Sequence, residues 1–387
     1  MGKFEQQPAL PARFLDFYRQ LLGENAEDEI HALLKGAGEK VVRTVFSLSD
    51  FSELERIVGE FQMTLPGSGE GQSRVIFEDA MAVSNELVSC LSRSTAFEQG
   101  KFYIQSFASY FVIRMLPIAG AEYVLDLCAS PGGKALHCYD RMERKRPVIV
   151  NEPAGARRMR LTSVLRTYDA RELPVLGIDG GLICQFLANE IPLIVLDAPC
   201  SGEAHILTQP QRRREWTPKQ TMMLARRQLG LLSAAVHALK PGGLILYSTC
   251  ALSPYENELL VGELLERTEG AVEPVRWPGE GEAELEKLGV NFRPLEQVKG
   301  QAIDPRIVEC GWRFRPVDFG EPFFGILLTK KKSTMPKKPI EPYPVVYEKS
   351  RSKDRWRSIR VGPGRREFLA PVHWPELPGL PYLHLGR

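Results

Sequence analysis

The sequence predicts an α/β fold, a mostly parallel sheet with helices on both faces, and three observations carry that reading. Strand-like and helix-like segments alternate from residue 123 to residue 267. The strands are near-continuous apolar runs such as PLIVLDAP (192–199), the pattern of strands covered on both sides. The stretch AEYVLDLCASPGGK (121–134) reads as a buried strand, Tyr123–Leu127, that breaks into a turn at Ser130-Pro131-Gly132-Gly133 and then a helix. Open α/β sheets bind nucleotides at such a turn. Its glycines let backbone approach a ligand, and the helix start offers free N–H groups.

Composition narrows the class. The 387 residues are enough for one large domain with smaller attachments, and 43% hydrophobic with 25% charged residues suits a soluble globular protein. No apolar run reaches the ~18 residues of a membrane helix. MGKFEQQPAL lacks an apolar signal region, and Gln6 stands where myristoylation needs Ser or Thr. Seven scattered cysteines, none in a C-x-x-C pair, argue against zinc and against a disulfide framework. They point to a reducing, cytoplasmic compartment. The net charge of +2 hides an asymmetry: from Lys330 onward 14 basic residues face 5 acidic ones, against 36 and 43 before it. A basic tail on a mildly acidic body suits a polyanionic partner.

Taken in order, residues 1–99 read as a small, mainly helical N-terminal domain. Phe14, Phe17, Leu21 and Leu22 fall at helical spacing, as do Leu54, Ile57, Val58 and Phe61. LPGSGEGQ (65–72) is a loop, and a further helix is expected across Ala80–Leu91. The domain serves packing or helps hold the substrate. The main domain spans 100–330. Its expected strands are 123–127, 147–151, 173–178, 193–197 and 243–248, and its helices about 133–142, 154–167, 218–239 and 255–267. Residues 310–317 and 322–329 form an antiparallel pair completing the sheet edge, after an acidic, poorly periodic insert at about 270–300. The Pro-rich tail, 331–387, interleaves basic residues with Tyr343, Tyr347, Trp356 and Trp374. That mixture suits single-stranded RNA, or a solvated extension.

Strand 193–197 ends in Asp197-Ala198-Pro199-Cys200-Ser201-Gly202, and strand 243–248 in Tyr247-Ser248-Thr249-Cys250. Parallel strands open their C-terminal ends onto one crevice, so Asp126, Glu152, Asp197, Cys200 and Cys250 converge there. One cysteine would be an ordinary buried hydrophobe. Two at matching strand ends call for chemistry, and residue chemistry alone leaves open which is the nucleophile.

Five stretches in this order resemble the Sun-type (Nop/Sun) RNA 5-methylcytosine methyltransferases: YIQSFAS (103–109), DLCASPGGK (126–134), NEPAGARRMRL (151–161), DAPCSG (197–202) and YSTCALSPYENE (247–258). The resemblance covers roughly 100–330. It implies a Rossmann-like class I methyltransferase core, S-adenosylmethionine as cofactor, no metal, and RNA as partner. Ribosomal RNA is expected first and transfer RNA second, with a ribosomal subunit or partner protein as a further candidate. A non-catalytic RNA-binding or ribosome-assembly factor on the same fold is the rival reading. In the family the Thr-Cys residue adds to C6 of cytosine, making C5 nucleophilic. The resemblance gives that role to Cys250 and product release to Cys200. It places Asp197 on the cytosine edge and Lys134 between cofactor and base. Cys128, Ala129, Ser130, Pro131, Gly132, Gly133 and Lys134 would wrap the methionine portion, and Glu152 would take the ribose hydroxyls. Asp179 would sit by the adenine, Arg157 matches an Arg of the following helix, and Asp197 borders the cofactor as well as the base. Three features depart from the family. Ser130 and Ala135 replace the usual Ala and Thr. Glu203-Ala204-His205 replaces the usual Gly-x-x-Arg, which affects the substrate side, where His205 would touch RNA or cap a turn. The basic tail stands where some members have an RNA-binding domain. The run Arg212-Arg213-Arg214 is basic enough to meet phosphates.

Overall fold

The computed structural model describes residues 12–35, 38–47, 50–65, 72–209, 211, 215–319 and 321–334, and the backbone of four strands beyond them. Helix Ala12–Leu22 buries Phe14, Tyr18, Leu21 and Leu22 along one stripe, and helix Ala26–Lys35 follows. A small antiparallel sheet comes next, built from β1 (Lys40–Thr44), β2 (Ser73–Phe77), β3 (Ala80–Val83) and β4 (Phe102–Ser106) in the order β2-β3-β1-β4. Helices Phe51–Gln62 and Asn85–Leu91 are threaded between the strands and start at the side-chain caps Asp50 and Ser84. The helix expected across Ala80–Leu91 therefore begins only at Asn85. Ala80–Val83 are all buried and pair with both β1 and β2, so tertiary pairing overrides their helical propensity. β4 lies past the expected start of the main domain, yet it pairs with β1. Most of the expected loop at 65–72 falls outside the described residues.

The central sheet runs through β5 (Val124–Asp126), β6 (Val148–Asn151), β7 (Val175–Leu176), β8 (Ile191–Asp197) and β9 (Leu239–Thr249), all parallel. Three antiparallel strands extend it: β10 (Val272–Val275), β13 (Trp312–Phe314) and β14 (Phe323–Lys330). Between them lies a two-residue hairpin, β11 (Gln297–Val298) with β12 (Gln301–Ala302). In the tail, β15 (Val345–Glu348), β16 (Trp356–Val361) and β17 (Arg366–Pro371) pair with one another, and β18 (Tyr382–His384) joins β7. The order across the sheet is β10-β14-β9-β8-β5-β6-β7-β18.

The antiparallel pair β13/β14 forms as expected, but it does not complete the edge. β10 pairs outside β14, and helix Gly279–Lys287 follows it, so the stretch at 270–300 is ordered structure. The Val-Glu-Pro-Val run is too short to register as a strand, and Pro274 is tolerated because β10 is an edge. Just beyond, Trp277 stacks on Trp312 with ring centroids 4.1 Å apart.

Both faces of the sheet are covered. Along β8, Ile194 and Leu196 pack with Phe14, Tyr18 and Leu232, whereas Leu193 and Val195 pack with Val42, Phe111 and Leu161. The N-terminal helices thus sit on one face and the small sheet on the other. Strand order reverses between β5 and β8, which opens a crevice at their C-terminal ends.

Candidate active site

The turn after β5 requires glycine twice. Gly132 has φ +122°, and a Cβ on Gly133 would lie 2.8 Å from the Tyr103 ring. Helix Gly133–Arg141 then begins with Lys134 aimed back into the crevice. Its Nζ donates to Asp197 Oδ2 at 2.8 Å and to Ser109 Oγ at 2.9 Å. The other Asp197 oxygen accepts from Ser248 Oγ at 2.8 Å, across the β8–β9 register pair Asp197 with Ser248. Burial alone would lower the Lys134 pKa, but Asp197, then Cys250 and Asp126, outweigh it and hold the ammonium charged. Asp126 at the end of β5 is pushed up to about 7 by burial and by Asp197, with Lys134 opposing.

Cys200 and Cys250 leave adjacent parallel strands, three and two residues past the paired Asp197 and Ser248. Their sulfurs lie 3.1 Å apart, in hydrogen-bond contact and not joined. The contact with Cys250, reinforced by burial and by the carboxylates of Glu256 and Glu203, pushes the Cys200 thiol well up. A raised pKa keeps the Cys200 thiol protonated, and Cys250 is the exposed one of the two.

The second loop is anchored by its three terminal polar residues, all fully buried. Glu256 accepts from the Ser201 N–H at 2.9 Å and from Gln228 at 2.8 Å, and Gln228 also donates to the Pro199 carbonyl at 2.9 Å. Asn257 accepts from Thr249 Oγ1 at 2.6 Å and donates to the Ala251 carbonyl at 2.9 Å. Both Glu258 oxygens accept from a single Arg313 nitrogen, Nη1, at 2.9 Å each, while Nη2 donates to the Leu252 carbonyl.

On the cofactor side, Glu152 at the end of β6 is almost wholly buried. It accepts from the Ala154 N–H at 2.9 Å and pairs with Arg157 Nε at 3.1 Å. Arg157 leans over the turn, where its carbonyl accepts from Ser130 Oγ at 3.1 Å. The exposed Asp179 caps the short helix at Gly180–Leu182 through the Gly181 N–H at 3.0 Å. Cys128 is nearly buried within the turn, and burial together with Asp126 pushes its thiol up, which keeps it uncharged. The crevice therefore brings together Cys128–Lys134, Glu152, Arg157, Asp197, Cys200 and Cys250, with Asp179 at its rim.

Sequence reasoning missed Asn151, whose amide ties the carbonyls of Leu127 and Ile178 at 3.0 and 3.1 Å and so fixes three strand ends. Ser109 and Ser248 were visible within the quoted motifs, but not their contacts to Lys134 and Asp197. Exposed His205 faces Gln209 one helical turn on. Arg212–Arg214 lie outside the described residues. A cavity of about 450 Å³ shares Ser201 with the cysteine site and is walled by Trp216, Thr221, Leu224 and Arg227.

Glu256 is pushed up to about 8, first by burial and then by Glu203. Like Asp126, it binds its proton more tightly folded than unfolded. The resulting stabilisation is complete below the unfolded carboxyl pKa and is lost as pH rises through about 7 to 8. The melting temperature is expected to fall between pH 6 and pH 9 in scanning calorimetry. Glu256→Gln, which reproduces the protonated carboxyl, should flatten the upper half of that fall.

Residues 113–297 match the family model described as 16S rRNA methyltransferase RsmB/F. That match takes in just under half of the chain, most of the central sheet among it. The matched region contains the turn, Glu152, Asp197 and both cysteines. The chain is 32% identical over 192 residues to the ribosomal RNA small subunit methyltransferase F of Vibrio parahaemolyticus, covering 49% of this chain and 40% of that protein. It is 31% identical over 270 residues to the protein of that name from Pectobacterium carotovorum, covering 67% and 53%. The chain thus spans about half the length of these relatives or less. Two solved structures share the fold. A methyltransferase homologue from Pyrococcus horikoshii has TM-score 0.65 at 23% identity, covering 82% of this chain and 94% of its own. NSun6 from the same organism, solved with SFG, has TM-score 0.64 at 18% identity, covering 84% and 99%. The class I methyltransferase fold expected from the sequence is the fold observed.

Proposed function

We propose that this protein transfers a methyl group from S-adenosylmethionine to C5 of a cytosine in ribosomal RNA. The observation that carries the reading is the pair of cysteine sulfurs 3.1 Å apart, beside the Lys134–Asp197 pair and next to the glycine turn. A methyltransferase acting on a nucleophilic oxygen or nitrogen has no use for two such thiols.

The residues fit the cofactor. Glu152 offers a buried carboxylate for ribose hydroxyls, and the Cys128–Gly133 backbone faces it across Arg157. Asp126 and Asp197 suit a cationic sulfonium and ammonium. When bound, the cofactor supplies an electrophilic methyl group. The remaining chemistry belongs to the chain. The Cys250 thiolate adds to C6, while Asp197, charge-paired with Lys134, holds the N3–N4 edge and favours N3 protonation as electron density moves to C5. After methyl transfer a water molecule takes the C5 proton and N3 returns its own, the C5–H electron pair restores the C5–C6 double bond, and the C6–S bond breaks to return the Cys250 thiolate and an aromatic ring. Cys200, the adjacent proton-bearing thiol, assists this release. The base must be unpaired or flipped out to reach the crevice. The cavity beside Ser201 would receive neighbouring RNA, and the basic tail would add phosphate contacts. This reading places the protein with the ribosome in the cytoplasm, where both thiols stay reduced.

The test uses RNA carrying tritium at cytosine C5, in which methylation releases the label to water. Small-subunit ribosomal RNA should release tritium only when adenosylmethionine is present, and transfer RNA should release less. Glu152→Ala should weaken adenosylmethionine binding in calorimetry by about tenfold or more, through loss of charge-assisted hydrogen bonds. Binding of neither cofactor nor methyl label would leave a non-catalytic RNA-binding factor. Label on any atom other than cytosine C5 would sink the cysteine mechanism.

A further inference from the structure

Glu203 is fully buried, and among the described residues its partners are a hydroxyl, an amide and a phenol, with no cation. One oxygen accepts from Ser201 Oγ at 2.6 Å, in the residue after Cys200. The other accepts from the Leu252 N–H at 2.9 Å, two residues past Cys250. A single carboxylate therefore bridges the two loops that carry the sulfurs. Its third contact is the hydroxyl of Tyr18, on helix Ala12–Leu22, 185 residues away in sequence. Burial and Glu203 push the Tyr18 phenol well up, which keeps it a donor.

The proton arithmetic is directional. The Ser201 hydroxyl meets both Glu203 and Glu256 but has one proton to give. With Glu256 holding its proton, the chain runs from the Glu256 carboxyl to Ser201 and from Ser201 to the Glu203 carboxylate. Both Glu203 oxygens then act as acceptors, one for Ser201 and Tyr18 and the other for the Leu252 N–H. Burying a carboxylate without a cation is expensive. A site that needed only packing would be served at lower cost by an apolar residue.

We propose that Glu203 is a positioning residue: it fixes the separation of Cys200 and Cys250, and Tyr18 holds it there, so that the N-terminal helix becomes part of the support of the active site. The titratable groups facing it are Tyr18, Glu256 and Cys200. The inference rests on the reading of the two cysteines as the working pair, so its test includes a readout that needs no methyl transfer. Diamide takes two electrons and two protons from a pair of neighbouring thiols and leaves a disulfide, whose formation peptide mass spectrometry follows. In the wild-type full chain, diamide should join Cys200 to Cys250 rapidly. In Glu203→Ala the closure should slow about tenfold, and kcat on RNA should fall about 10²-fold with KM for RNA and cofactor nearly unchanged, the signature of lost positioning. Glu203→Gln, which keeps an acceptor for Leu252, should recover most of both. Tyr18→Phe removes one donor with little change in volume. It should lower kcat about tenfold and shift the alkaline limb of the pH profile, even if Glu203→Ala proves too unstable to purify. Wild-type closure and kcat in a folded Glu203→Ala or Tyr18→Phe protein would overturn the proposal, as would a loss confined to KM. Slowed closure in a protein that methylates no RNA would uphold the positioning role and refute the proposed function instead.

Discussion

Cys200→Ala is expected to accumulate a protein–RNA adduct that survives a denaturing gel, and Cys250→Ala is expected to form none and to lose methyl transfer by at least about 10³-fold, the scale of a lost nucleophile. The asymmetry follows from where the proton sits. Cys200 is held protonated by its contact with Cys250, by burial and by two carboxylates, so it cannot readily attack C6. Cys250 is the more exposed sulfur, so it is placed to add to the base. Removing Cys200 leaves addition and methyl transfer possible but slows the elimination that frees the RNA. The check is a mobility shift on a denaturing gel, with adenosylmethionine and ribosomal RNA, for wild type and both variants. Adduct from Cys250→Ala and none from Cys200→Ala would exchange the two roles.

The second large effect is expected at Asp197. Asp197→Ala leaves the Lys134 ammonium, itself nearly buried, with only the Ser109 hydroxyl, and leaves Ser248 without its acceptor. A buried charge without its partner is costly, so the protein should melt lower. Loss of the group that stabilises charge at the N3–N4 edge should reduce kcat by about 10²–10³-fold. Asp197→Asn keeps the hydrogen bonds but not the charge and should fall between. Lys134→Met should show a comparable kinetic loss, and the double variant should cost less than the sum of the two, since both remove one interaction. Strict additivity in kcat would mean that the two side chains act separately.

Much of this site could be read without coordinates because the parallel sheet does the gathering. Once the strands around 123–127, 193–197 and 243–248 were recognised from their apolar runs, topology alone sent Asp126, Asp197, Cys200 and Cys250 to one crevice. Local chemistry marked the turn, because φ +122° at Gly132 and the closeness of Gly133 to Tyr103 exclude other residues. What misled the reading was also local. Ala80–Val83 look helical until β1 and β2 flank them, and Val272–Val275 look featureless until β14 pairs with them. Glu203 looked like a change on the substrate side and proves to be a buried link between two loops.

The sequence by itself determined the class of fold, the order of the motifs and the residue types at the strand ends, since these depend on periodicity and on short-range turn chemistry. Only the tertiary structure decided the 3.1 Å spacing of the sulfurs, the surroundings that push the Cys200 thiol up and the tie from Tyr18 through Glu203 to both loops. The contacts that join these segments link residues 49 to 185 positions apart, in a buried environment that no local pattern encodes.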